Sequence, residues 1–314
     1  MGFETPILIL AWRRPKHLTK VIDSLRLIKP LNLYVACDGP NHLRKNEAKK
    51  VAAVRKVIEY EIDWQCNLKK KYSNINQGCQ IGVSTAISWF FQNVEEGIIL
   101  EDDCVAHVEF YYYCELLLDR YRLDKRLWCI SGSNFQKNIK RGDGSYYFSR
   151  YNHCWGWATW KRCWENYDSN LENWLKVKES KLLNSIFESN MEKKYWKKIF
   201  DDLYHSNYPD SWAYRWFFTC FINGGLTALP QNNLVENIGF GDDATHTKSF
   251  FRPDTNINKG IFPIKHPTFF LRDKNADKFT FFNYFRGKYM YFPINIIIKF
   301  LKFFKKIILI LINN

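Results

Sequence analysis

Glu101-Asp102-Asp103 has the plainest chemistry in this chain: three carboxylates in a row, directly after the apolar run Gly97 to Leu100 (GIIL). A strand ending in carboxylates can hold a hard divalent cation. Mg²⁺ and Mn²⁺ take oxygen ligands, and Mg²⁺ takes only one or two of them from protein. Such a cation neutralises charge that builds on a departing diphosphate. The alternative, a solvated acidic turn, suits a buried strand end poorly, because adjacent carboxylates repel one another there unless a cation is present. Asp38 ends a second apolar run, in VACDGP. It can accept from the uracil or ribose of a nucleotide while Gly39-Pro40 turns the chain, although a plain turn aspartate reads nearly as well. Arg14 follows the first run and can bind base or phosphate, or else be a surface arginine at a helix start. The segment Cys154-Trp155-Gly156-Trp157-Ala158-Thr159-Trp160 offers indole faces to an acceptor sugar, with Trp155 and Trp157 as the candidates. Large aromatics also dominate cores, and these tryptophans cannot all face one way, so both roles are expected.

The elements that must position these groups alternate. Pro6 to Trp12 and Leu31 to Cys37 are nearly all apolar, as in strands buried on both faces. Between them Leu18, Val21, Ile22 and Leu25 recur at helical spacing, with Pro15 at the start. Lys45 to Tyr60 and Ile81 to Asn93 are further helices, and GIIL is a third strand. Strand–helix–strand alternation implies an α/β fold with a mainly parallel, doubly covered sheet, and ligands then lie beyond the carboxyl ends of the strands. Arg14, Asp38 and the acidic triplet all sit at such ends and are expected to converge. From Leu127 to about Thr247 the pattern is irregular and rich in Trp, Tyr, Gly and Asn, interrupted by a Lys-rich helix over about 173–205. The division expected is a domain over 1–250, with a nucleotide-binding half (1–103) and an acceptor half with a lid (104–250), then an extension over 251–314.

The chain has 314 residues, 46% hydrophobic and 18% aromatic, enough for a large folded core. Its formal net charge of +14 points to an anionic partner: nucleotide, acidic lipid or nucleic acid. No RRM, KH or zinc signature supports nucleic acid, so none is expected as a partner. The nine cysteines include no CxxC pair, and several lie in apolar runs, so they read as reduced thiols in the cytoplasm. Residues 291–312 (YFPINIIIKFLKFFKKIILILI) put Lys299, Lys302, Lys305 and Lys306 on one side of a helical wheel. Four lysines make a spanning helix costly, and an amphipathic helix on the anionic inner face of the cytoplasmic membrane fits better.

Taken in order, NQGC (76–79), GVSTAISWFF, EGIILEDDC, LWCISGSN, CWGWATW and NLVENIGFGDDATHT resemble a bacterial branch of GT-A nucleotide-diphospho-sugar transferases, over residues 5 to 250. That branch is similar to the N-acetylglucosaminyltransferase I family, an inverting, Mn²⁺-dependent group. The resemblance implies a Rossmann-like GT-A fold and a UDP-sugar donor, with N-acetylglucosamine the first candidate sugar. It implies a glycan or glycolipid acceptor in surface polysaccharide or lipooligosaccharide synthesis, and Mn²⁺ or Mg²⁺ as cofactor. By the same carry-over Asp103 is the metal ligand, Glu101 and Asp102 contact the donor, and Arg14 and Asp38 hold the nucleotide. Gly239 to Thr247, including Gly241 and His246, would form a loop closing over the donor. One position departs. The family's general base is an aspartate just after a tryptophan; here the segment is Ser211-Trp212-Ala213-Tyr214-Arg215-Trp216, and Ala213 cannot accept a proton. An inactivating Asp→Ala change, Asp210 acting from a shifted backbone, or donor binding without efficient turnover would each account for it; the intact flanks favour the first. A nucleotidyltransferase and a basic nucleic-acid-binding protein are the alternatives.

Overall fold

The computed structural model describes residues 2–240, 257, 260–285 and 287–290. Four parallel strands form one side of the sheet: β1 (Ile7–Ala11), β2 (Asn32–Cys37), β3 (Asn67–Tyr72) and β4 (Glu96–Glu101). The helices α1 (Pro15–Arg26), α2 (Glu47–Glu61) and α3 (Gly78–Phe91) connect them. Every residue of β1 is buried, as its apolar run requires. Helix α1 starts with proline in its first turn and buries Leu18, Val21, Ile22 and Leu25. β3 is the strand hidden from a reading of the sequence. NLKKKY is lysine-rich and only partly buried, because it is the sheet's outer edge, where charge discourages pairing with another chain.

The remaining elements are β5 (Cys104–Ala106), α4 (Val108–Tyr121), β6 (Leu127–Ser131), β7 (Tyr146–Ser149), β8 (Trp157–Trp160), α5 (Lys161–Trp164), α6 (Trp174–Glu179), α7 (Leu183–Ile186), α8 (Asn190–Ser206), α9 (Trp212–Ile222), β9 (Leu226–Pro230), β10 (Val235–Asn237) and α10 (Lys274–Asn283). The large sheet runs β3-β2-β1-β4-β8-β6-β9-β7, with β8 and β7 antiparallel to their neighbours. It is therefore the mixed, mainly parallel, helix-flanked Rossmann-like sheet expected of the α/β class. A separate ribbon pairs β5 with β10 and carries Asn237 to Cys104.

One expectation needs correction. The single helix expected over about 173–205 is three helices, broken where Ser180 and Phe187 turn extended. Ser189 then caps α8 by accepting from the amide of Met191. Trp196, Phe200 and Leu203 of α8 join Trp174, Phe217 and Phe221 in a second, aromatic core. The chain beyond residue 250 packs onto the part before it. Asp277 of α10 accepts from Ser149 Oγ and the amide of Arg150, and Gln136 Nε2 donates to Thr280 Oγ1 at 2.8 Å. No described helix is long and apolar enough to cross a membrane. The amphipathic helix expected over 291–312 lies outside the described residues.

Candidate active site

Parallel pairing sets Leu10 of β1 opposite Glu101 of β4, and Ala11 opposite Cys37 of β2. The chain leaves all three strands at one edge, so Arg14, Asp38 and the acidic triplet line one cavity of about 680 Å³. Trp155, Asp210 and Ala213 line it too. That volume lies within the usual range for small-molecule sites, and the place is where open α/β sheets bind ligands.

Asp102 and Asp103 are 2% and 6% exposed. The amide of Asp102 donates to Leu10 O, and its Oδ2 accepts from the amide of Trp12 at 3.1 Å. Arg14 spans both side chains, with Nη2 3.0 Å from Asp102 Oδ1 and Nη1 2.5 Å from Asp103 Oδ2. Burial opposes its positive charge, but Asp102, Asp103 and Glu101 outweigh it and raise its pKa. Burial, and then the neighbouring carboxylates, push Glu101 and Asp102 above the ordinary carboxylate range, against the pull of Arg14. The β5–β10 ribbon brings in a further wall: Ile238 donates its amide to Asp103 O at 2.9 Å. A Cβ on Gly239 would sit 1.9 Å from Asp103 Oδ2 and 2.6 Å from Arg14 Nη1, so only glycine fits there.

Asp38 is already engaged. It accepts from the amide of Gly39 at 2.8 Å, from the amide of Gln77 at 3.1 Å and from Asn76 Nδ2 at 2.8 Å. It thereby ties the loop before α3 to the end of β2, and a Cβ on Gly39 would meet the Ile75 backbone at 2.5 Å. Asp210 has a similar task. Its two oxygens accept from the amides of Cys79 and Gln80, at 2.9 and 2.8 Å, across the first turn of α3. Asp210 thus caps α3, since its oxygens serve that helix's otherwise unpaired amides, and it does so from the cavity wall.

Trp212 lies beside Glu101 and opposes part of the rise in its pKa. Ala213 follows it in the first turn of α9, in the cavity wall. Trp157 requires a correction: it is 1% exposed and stacks on Trp212 with ring centroids 5.5 Å apart. It supports Trp212 from behind and has no face for an acceptor. Trp155 does reach the cavity, edge-on to Phe135 at 5.4 Å. Phe135 stacks on Tyr284 at 4.3 Å, and Tyr284 and Phe285 come from the chain beyond residue 250. Gly241 and His246 lie outside the described residues.

His153 sits in this aromatic lobe, 3% exposed, with Nε2 lacking a hydrogen-bond partner. Burial lowers its pKa to about 3. Below the unfolded value of about 6.5, the unfolded chain binds a proton that the folded chain refuses, so this histidine withdraws about 1.4 kcal/mol per pH unit on acidification. His153→Gln should remove that dependence. The melting temperature of wild type minus that of the variant should fall between about pH 7 and about pH 5; an offset that stays constant would contradict the assignment.

Among the described residues no three His, Cys, Asp or Glu side chains converge as a metal cage. A cation held largely by phosphate and water needs no cage, only one or two carboxylate oxygens. The charge balance points the same way: with Glu101 and Asp102 held toward the neutral form by burial, the other carboxylates of the described cavity wall (Asp38, Asp103 and Asp210) only match its three cations (Arg14, Arg44 and Lys71). A diphosphate entering a wall with no positive excess needs an accompanying cation. The residues therefore fit Mg²⁺ or Mn²⁺.

No protein-family model matches the chain, and no curated protein matches it. Among solved structures it is similar to HddC from Yersinia pseudotuberculosis, at 11% identity over 52% of this chain and 80% of that one, with a TM-score of 0.33. It is similar to a cytidylyltransferase from Leptospira borgpetersenii (13% identity, 62% and 74% covered, TM-score 0.35) and to mouse xyloside xylosyltransferase 1 (10%, 69% and 81%, 0.32). Likeness at this level assigns no activity to the chain, and the chemistry has to come from the cavity itself.

Proposed function

We propose that the chain is a metal-dependent glycosyltransferase that takes a sugar from a nucleoside diphosphate, with UDP-N-acetylglucosamine the first candidate donor, and passes it to a glycan or glycolipid hydroxyl. One observation carries the reading. A single cavity joins an acidic strand end suited to a metal–diphosphate with an aromatic lobe (Trp155, Phe135, Tyr284) suited to a sugar acceptor, and Ala213 lies in its wall. Asp38 holds the 76–78 loop against the nucleotide side, and Arg14 offers the phosphates a two-pronged donor. Asp103 would hold the cation, with Glu101 and Asp102 toward the donor. When bound, Mg²⁺ or Mn²⁺ supplies Lewis-acid neutralisation of the leaving diphosphate. Glu101, which burial keeps largely protonated near neutral pH, would face the donor sugar as a hydrogen-bonding group. Inversion, and work at the inner membrane face through residues 291–312, belong to the same proposal.

Thermal unfolding of the full chain tests it. UDP should raise the melting temperature only when Mn²⁺ is present, by an amount that follows the free-ligand concentration. Salt-sensitive oligonucleotide binding without metal would instead favour a nucleic-acid protein. Product analysis separates the two enzymes: transfer releases nucleoside diphosphate, whereas nucleotidyl transfer releases pyrophosphate from a nucleoside triphosphate.

A further inference from the structure

Arg14 and a divalent cation want the same oxygen. Asp103 Oδ2 is 2.5 Å from Arg14 Nη1, and Asp103 Oδ1 lies 3.6 Å from Cys104 Sγ, whose thiol points at it. Gly239 closes over the carboxylate so tightly that a methyl group would collide with Oδ2. Both oxygens are thus occupied, and a cation reaching Asp103 has to displace the guanidinium. Arginine does not step aside by losing its proton, so it leaves only for another anion. Arg14 lines the cavity with its side chain 14% exposed, and a diphosphate there is the anion its planar fork suits.

We propose that Arg14 is an exchangeable counter-cation, which neutralises Asp102 and Asp103 in the protein alone and yields the Asp103 oxygen to a divalent cation when a nucleoside diphosphate takes the guanidinium. This rests on the nucleotide-sugar reading above. It makes metal and nucleotide bind together: each alone works against the Arg14–aspartate pairing, and each removes the obstacle to the other. Linkage requires the effect to be reciprocal. It also gives Arg14 two successive partners, where phosphate binding alone would give it one.

The test is Mn²⁺ binding to the full chain, followed by the electron paramagnetic resonance of free Mn²⁺, with and without UDP and corrected for Mn²⁺ bound by UDP itself. In wild type, UDP should tighten Mn²⁺ binding about tenfold or more. Arg14→Gln, without UDP, should bind Mn²⁺ about tenfold more tightly than wild type, and UDP should tighten it by less than in wild type. Arg14→Lys, which keeps a charge but loses the fork, should fall between the two and serves if the glutamine variant does not fold. Equal Mn²⁺ affinity of wild type and both variants without UDP would overturn the exchange while leaving the metal reading standing. No Mn²⁺ binding by any of them, even with UDP, would overturn the metal reading and the exchange with it.

Discussion

Ala213→Asp is expected to raise the rate of sugar transfer by about 10²–10⁴-fold, the usual contribution of a positioned general base. The acceptor hydroxyl must lose a proton as it attacks the anomeric carbon, and among the described residues the aspartates beside the acidic floor are already engaged. Asp210 is bound to the amides of Cys79 and Gln80, and Asp102 and Asp103 are tied to Arg14. Ala213 stands in the first turn of α9, next to Trp212, and lines the cavity. An aspartate introduced there also suits a helix N-terminus, so the fold should accept it. The acidic triplet in the same cavity wall would hold its pKa up, as a base working near neutral pH needs. The measurement is transfer to an acceptor beside hydrolysis of the UDP-sugar, for both proteins under saturating Mn²⁺. An unchanged transfer rate in a folded variant would remove position 213 from the chemistry. A rise confined to donor hydrolysis would place it beside the anomeric carbon but away from the acceptor.

What could be read before folding follows the distance over which each feature is decided. β1, β2 and β4 are local: runs such as ILILA and the GIIL within β4 are apolar because both faces are covered, and nothing distant is needed to see it. Arg14, Asp38 and the acidic triplet inherit that clarity, because parallel strands deliver their ends to one edge. β3 fails the same test, since NLKKKY becomes a strand only by pairing with β2 from the edge. The long Lys-rich helix fails because local periodicity carries through Ser180 and Phe187, while packing on the aromatic core does not. The site's less visible parts are all nonlocal. Asp210 caps a helix 131 residues earlier in sequence, Gly239 reaches Asp103 only through the β5–β10 ribbon, and Tyr284 arrives from beyond the expected boundary. Trp157 shows the converse. Its indole was a candidate sugar platform, but β8 is buried along its whole length and Trp157 packs behind Trp212.

Asp103→Asn should abolish Mn²⁺-dependent stabilisation by UDP and lower kcat/KM by about 10³-fold, comparable to the loss of a principal electrostatic contact in a transition state. The substitution keeps shape and removes charge. Asparagine retains a carbonyl oxygen that can accept from Arg14 Nη1, and Asp102 still pairs with Nη2 at 3.0 Å, so the guanidinium is not left alone in a buried site. Two effects on stability then oppose one another: a charged hydrogen bond becomes a neutral one, and a repulsion among three neighbouring carboxylates is relieved. With Glu101 and Asp102 pushed above the usual carboxylate range, partly by Asp103, that relief grows as pH rises and more of the cluster ionises. Metal-free Asp103→Asn should therefore lose little stability near neutral pH and compare better with wild type at alkaline pH. Calorimetry across pH, beside UDP titrations with and without Mn²⁺, separates the two roles. A variant that unfolds at all pH values would make Asp103 a structural partner of Arg14. A variant that is stable and still answers to UDP with Mn²⁺ would transfer the cation to a neighbouring carboxyl of this strand end, Glu101 or Asp102.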